Sequence, residues 1–379
     1  MKKLSLLLLL ALAVTAVFSQ TTAMVLSNSD TLETTLIPAV LTREIVTPAT
    51  ITPATVTTVI KPYKAPVTVN QPVTTTSDPA PVIIGTQTNP GGVASGPVTL
   101  QSNKTYSRLT IDLRGGTGAG ITGSGVSNVH ITKCKIINGP AGTGILLNNC
   151  TNVTIDSCFF TMLGQGVLAR KCVSTKINGN QFLNIVGSAT ATWHPIQLQN
   201  CTGGGQQIIG NRIQEDPLVA PYTHDQISVF QSYGLKGDSI MILNNWIRGG
   251  QQLKNAKGDN GAAGITLGDV GGSYQVARGN ILVNALAILV DGKGTNLKAD
   301  HNKIYARQTG AQPNSVGMVY FGGTESNFVG YNQINFKWSN GKLFNLNPAT
   351  SSSIGGWGTN VFNPDIDTSI LPATIITYK

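Results

Sequence analysis

Charge is scarce in this sequence. Asp, Glu, Lys and Arg together make up 11% of its 379 residues, against about a quarter in an average soluble domain. Glutamate is almost missing: Glu33, Glu44, Glu215 and Glu325 are the only four. These shortages exclude charge-rich helical folds, coiled coils and highly charged tails. Cysteine is limited to five residues, an odd number, so a fully paired intrachain disulfide framework is excluded. No Cys-x-x-Cys metal spacing occurs. Aromatic residues are 6% of the chain, with no aromatic-basic motif of the kind that binds nucleic acid.

Glycine is abundant, at 43 residues, and 41% of the chain is hydrophobic. Gly, Asn, Thr, Val and Ile without Glu suit strands and turns, not helices. One long apolar run exists, Leu4 to Phe18, preceded by Lys2 and Lys3 and followed by small residues up to Ala23. That layout predicts a signal peptide over 1–23, cut after Ser19 or Ala23. The alternatives are a buried helix or an anchor, but the run is shorter than the about 20 residues a span needs. Residues 24–96 alternate Thr, Pro and Val, as in the stretch from Val46 to Val56, and predict an extended spacer; the alternative is strands laid along the domain. The organisation expected is thus signal peptide, Thr/Pro-rich spacer, folded domain over 97–350 and a C-terminal cap or tail over 351–379. The expected location is secreted or cell-surface, with no membrane insertion after cleavage.

From about Val98 the sequence repeats. Segments Val129–Ile136, Val153–Phe160, Thr175–Phe182, Gln207–Ile213, Ile240–Ile247, Gln275–Leu282, Leu297–Ile304 and Phe328–Ile334 align on a Cys or Asn. The markers are Cys134, Cys158, Asn180, Asn211, Asn245, Asn280, Asn302 and Asn332, spaced 24, 22, 31, 34, 35, 22 and 30 residues apart. Periods of this size mean a solenoid or propeller. Most units carry a second apolar segment: Gly144–Leu147, Gly166–Ala169, Pro195–Leu198, Gln226–Val229, Gly264–Leu267, Ala287–Val290 and Gly317–Tyr320. Alternation puts one set of side chains in and the next out. Short strands with turn-rich joins predict coils stacked as a parallel β-helix of about eight to ten rungs, roughly 40 Å tall at about 4.8 Å per rung.

The pattern hydrophobic-x-hydrophobic-x-x-Asn-x-hydrophobic, followed by Gly-Ile-x-Leu, resembles right-handed parallel β-helix proteins of the pectate-lyase-like superfamily over about 98–348. The resemblance implies an all-β, right-handed solenoid, with a groove on the outer face of one strand stack walled by insertions. Motifs of its hydrolases (Asn-Thr-Asp, Asp-Asp, Gly-His-Gly) and of its lyases (Trp-Ile-Asp-His) are absent. The marker Asn residues are read as a hydrogen-bonded column at one turn. Cys134 and Cys158 join that column, and Cys150, Cys172 and Cys201 stack at another turn. They are read as small buried turn residues, with oxidation of one stacked pair as the alternative.

The longest units lie in the middle, with extra residues at 187–194, 215–224 and 249–263, and long loops on a rigid repeat are where binding residues gather. Outward positions on the central strands are Gln197, Gln199, Ser228, Phe230 and Thr266; Trp193, His194, Tyr222, His224 and Asp225 lead into them. Aromatic, amide and hydroxyl groups together suit sugar rings. The candidate catalytic set is His224, Asp225, His194 and Arg248. The first three offer proton transfer, while Arg170 and Arg248, with Lys254 and Lys257, offer charge to a uronate carboxylate. Asp225, Asp269 and Asp291 fall on successive rungs and offer hard oxygens to Ca²⁺; no other cofactor is expected. His130 and His301 are read as structural.

Residues 97–350 hold 20 Lys plus Arg against 11 Asp plus Glu, a difference of +9, which favours anionic partners. The function expected is binding, with cleavage or modification by a lyase- or epimerase-like reaction, of an acidic polysaccharide. The alternative is a non-catalytic extracellular scaffold, adhesin or glycan-binding module. Nucleic acid is not an expected partner.

Overall fold

The computed structural model describes residues 92–188, 190–216, 218–220, 223–249, 263–285, 288–291, 293–307, 318–321, 326–337, 346–348 and 354–376. The expected signal peptide, the spacer up to residue 91, and the candidates Tyr222, Lys254 and Lys257 lie outside them.

Three columns of parallel strands make a solenoid. One coil shows the plan: Val173–Asn178 on the first face, Gln181–Leu183 on the second, Ile196–Gln199 on the third, then Gln207–Ile209 back on the first. Every rung pairs in parallel with its counterpart one coil on, as in Lys176 with Gln207, Gln181 with Arg212 and Ile196 with Ile227. The first face runs from Thr105–Ser107 to Phe328–Gly330, the second from Val93–Ser95 to Val361–Phe362, and the third from Val98–Thr99 to Leu346–Pro348. The described residues contain no α-helix, only two 3-10 turns, Trp357–Thr359 and Thr368–Ile370.

Period-two alternation in the sequence becomes burial. Ile155, Ile177, Ile208 and Ile242 sit in register on successive first-face strands and are fully buried. Each contributes up to about 1.5–3 kcal/mol from leaving water. Phe160 and Phe182 stack at 4.7 Å inside the second face.

The corner between first and second faces is built by two consecutive residues. The residue before each marker is left-handed: Lys133, Ser157, Gly179, Gly210, Asn244, Gly279, His301 and Tyr331 have φ of 54–65°. That turns the chain sharply and aims the marker side chain along the coil axis. Asn180 donates its backbone N–H to Asn211 Oδ1 at 3.0 Å and its Nδ2 to the same oxygen at 3.1 Å; Asn211 repeats this onto Asn245, Asn245 onto Asn280, Asn280 onto Asn302 and Asn302 onto Asn332. The column gains a further member, Asn360, which accepts both donors of Asn332. At its other end Cys158 accepts from the Cys134 N–H and donor Cys158 N–H bonds Asn180. All five cysteines are buried and unbridged, which places them as small turn residues.

His130 pairs with Asp156 across rungs, and His301 stacks on Tyr331 at 5.2 Å, so both are structural. The C-terminal segment does two things. Ile354 and Trp357 pack on the core at the end of the coil. After Phe362 the chain then doubles back along the outside of the second face, in the segment expected as a cap or tail. Asn335 Nδ2 donates to the Ile366 carbonyl, Arg248 Nη2 to those of Thr368 and Leu371, and Gln214 Oε1 accepts the N–H groups of Ile375 and Ile376. Leu371, Ile375 and Ile376 cover Phe159, Val283 and Tyr305. These apolar side chains on the outer side of the second face are what the returning segment buries.

Candidate functional site

The third face positions the candidate residues. His194 and Asp225 lie two residues before the paired Ile196 and Ile227. Parallel pairing continues upstream of the strands, with the Gly166 N–H on the His194 carbonyl at 3.1 Å, the His224 N–H on the Trp193 carbonyl at 2.9 Å and the Gln226 N–H on that of Ala263 at 2.9 Å. His194 and Asp225 are thereby locked on adjacent rungs although 31 residues separate them.

The geometry is close. His194 Nδ1 lies 3.1 Å from the Asp225 carbonyl oxygen, which only accepts, so Nδ1 carries the proton and Nε2 the lone pair. His224 Nδ1 is 3.4 Å from Asp225 Oδ1. The two imidazoles meet edge to face, centroids 5.4 Å apart at 87°. Asp225 Oδ1 also accepts the Ala263 N–H at 2.8 Å. His194 and Asp225 are buried, while the His224 side chain is 22% exposed.

Burial of His194 pushes its pKa down to about 4, against the opposing pull of Asp225. It is neutral at pH 7. Burial alone would raise the Asp225 carboxyl, but His224, His194 and the Ala263 N–H outweigh it and hold Asp225 below the usual carboxylate range. Nearby, Asp269 is pushed up to about 6, first by burial and then by the charges of Asp225 and Asp291. The arrangement is a fixed anion between two imidazoles, one sealed and one open.

The outward residues of the third face also align. Gln197, Ser228 and Thr266 occupy one register across three coils. All three are buried, where an open polar surface had been expected. Gln197 accepts from Gln165 Nε2 at 3.2 Å. Ser228 Oγ, Thr266 Oγ1 and both amide atoms of Gln226 have no hydrogen-bond partner among the described residues. Phe230 is half-buried opposite Asp269. Trp193 lies across the Gly164 backbone, where a Cβ would sit 2.1 Å from the indole ring.

Two expected members are elsewhere. Arg248 ends the second-face strand Trp246–Arg248 and holds the returning C-terminal segment, so it does not serve the His224 cluster. Arg170 sits at the far end of the third face, with Nε on Gln199 Oε1 at 2.8 Å. Asp291 engages the N–H groups of Lys293 and Val270, the work of a turn residue, and offers Ca²⁺ little. Sequence reasoning passed over Glu215. It is buried, its carboxyl oxygens have no hydrogen-bond partner among the described residues, and burial raises its pKa well above the usual range. It lines a cleft of about 460 Å³ with Arg248, Tyr305, Arg307 and the C-terminal segment. The only signal in the sequence was its rarity, as one of four glutamates.

Residues 89–203 match the family described as right-handed β-helix region. The fold is a right-handed parallel β-helix. The match covers the coils up to His194, Gln197 and Gln199 and stops before His224 and Asp225; strand pairing carries the β-helix on from there. Comparison with curated proteins and with solved structures gave no significant match.

Proposed function

We propose that this β-helix protein is exported, binds an acidic polysaccharide along the outer side of its third face, and modifies it at His224 and Asp225. The observation that carries the reading is the pair itself: the His224 imidazole, 22% exposed, lies 3.4 Å from the buried Asp225 carboxylate. Net charge of +9 supports an anionic polymer, and the apolar run after Lys2 and Lys3 supports export.

In the reaction, His224 takes the proton next to the uronate carboxyl group, and the electron pair moves into that carboxylate. Asp225 stabilises the imidazolium that forms. In elimination, the glycosidic C–O bond on the neighbouring carbon then breaks, a C=C bond forms and the leaving oxygen takes a proton. In epimerisation, a proton returns to the opposite face. The test is ultraviolet absorbance of unsaturated product, with chemical-shift analysis for epimers, on a panel of uronic-acid polymers. His224→Ala should abolish product while far-ultraviolet circular dichroism is unchanged. Absence of both binding and product across the panel overturns the reading.

A second reading, a non-catalytic glycan-binding scaffold, is favoured by one observation. Arg170 and Arg248 both engage other groups, away from His224. Binding without product supports this reading.

A further inference from the structure

We propose that His194, His224 and Asp225 form a binding site for a divalent transition-metal ion of the zinc class. Each side chain supplies one ligand atom, and these atoms lie within 4.8 Å of one another. Two imidazole nitrogens and one carboxylate oxygen are the donor set zinc takes when a position stays open to water or substrate. Calcium and magnesium prefer oxygen alone, so the set discriminates against them.

The supporting contacts are those a metal site needs. A ligating histidine usually donates its other ring N–H to a carbonyl or carboxylate, which fixes the tautomer and the ring. His194 does so: its Nδ1 faces the Asp225 carbonyl and the Nε2 lone pair is left for an ion. Asp225 is oriented by the Ala263 N–H at 2.8 Å. The ligands hang on adjacent rungs of a rigid sheet, and His224 is open to solvent on one side. A bound ion occupies the His224 and Asp225 donors, so metal binding and proton transfer at His224 are alternative uses of one cluster, and the site is inferred from its donor set whether or not a polysaccharide is the substrate.

The full chain, stripped with a chelator, is titrated calorimetrically with Zn²⁺ and with Ca²⁺, and followed with Co²⁺ by visible absorption. The expected result is one Zn²⁺ per chain, Co²⁺ bands of nitrogen and oxygen coordination, and weaker Ca²⁺ binding. His224→Ala and Asp225→Asn should each weaken Zn²⁺ by more than the roughly 10- to 100-fold typical of losing a supporting partner. Asp225→Asn keeps an acceptor for the Ala263 N–H, so it tests the charge without removing the fold. His130→Gln, outside the cluster, should bind as the wild type does. No Zn²⁺ or Co²⁺ uptake overturns the proposal. So do unchanged affinity in both variants, preference for Ca²⁺, or an intense Co²⁺–thiolate band, which would place the ion at cysteine. None of these readouts involves a glycan, so failure here leaves the polysaccharide reading to its own test.

Discussion

Replacing Asn245 with alanine removes four hydrogen bonds from the middle of the asparagine column. Its Oδ1 accepts the Asn211 N–H at 2.9 Å and Asn211 Nδ2 at 3.0 Å. Its Nδ2 donates to the Ile208 carbonyl at 2.9 Å and to Asn280 Oδ1 at 2.9 Å. Asn280 Oδ1 still accepts the backbone N–H of residue 245, so it is not stranded. The two Asn211 donors are, because Asn211 is fully buried. A stranded buried donor costs about 1–3 kcal/mol, so the pair costs about 4 kcal/mol. That is large against a total stability of roughly 5–15 kcal/mol, and corresponds to a fall in Tm of about 8–16 °C at roughly 2–4 °C per kcal/mol. Urea and thermal unfolding followed by circular dichroism measure it. Asn360→Ala is the control: it removes the same two acceptor contacts at the end of the column, where Asn360 is half-buried and water can replace it. It should cost about 1 kcal/mol. If the two variants lose equal stability, or Asn245→Ala loses less than about 1 kcal/mol, the column is not held by these bonds and the reasoning fails.

Acid should destabilise the protein through His194. Its folded pKa of about 4 lies below the ordinary 6.5, so the unfolded chain binds the extra proton between those values. The stability it contributes is full above pH 6.5 and is lost as pH falls toward 4, by up to roughly 3 kcal/mol. Unfolding at several pH values should show this loss in the wild type and a flatter profile in His194→Gln; identical profiles would contradict the assignment. Arg248→Ala should free the returning C-terminal segment by removing the bonds to Thr368 and Leu371. Limited proteolysis with mass spectrometry should then show faster cleavage after Pro364 with the coil intact, and unchanged cleavage would show that the apolar contacts of Leu371 and Ile376 suffice.

The sequence by itself determined the coil. Alternation of Ile, Leu and Val fixes which side chains point inward, and a marker residue at each corner fixes where coils stack, because both are local patterns read over a few residues. Asn360 was legible too, since Asn360-Val361-Phe362 repeats the form of Asn332-Gln333-Ile334. His194 and Asp225 could be placed on neighbouring rungs from the repeat alone, for the same reason. The tertiary structure alone decided what covers the outside of that coil. Alternation says that Gln197, Ser228 and Thr266 face outward, but outward is not exposed, and all three are buried in the folded chain. Arg248 looked available to the His224 cluster because linear spacing does not say which outer surface a rung presents. It lies on the second face, and its guanidinium meets the carbonyls of a segment 120 residues away in sequence. The return of residues 363–376 along that face carries no repeat of its own. It is set by apolar surface at Phe159, Val283 and Tyr305 that exists only once the coils have stacked.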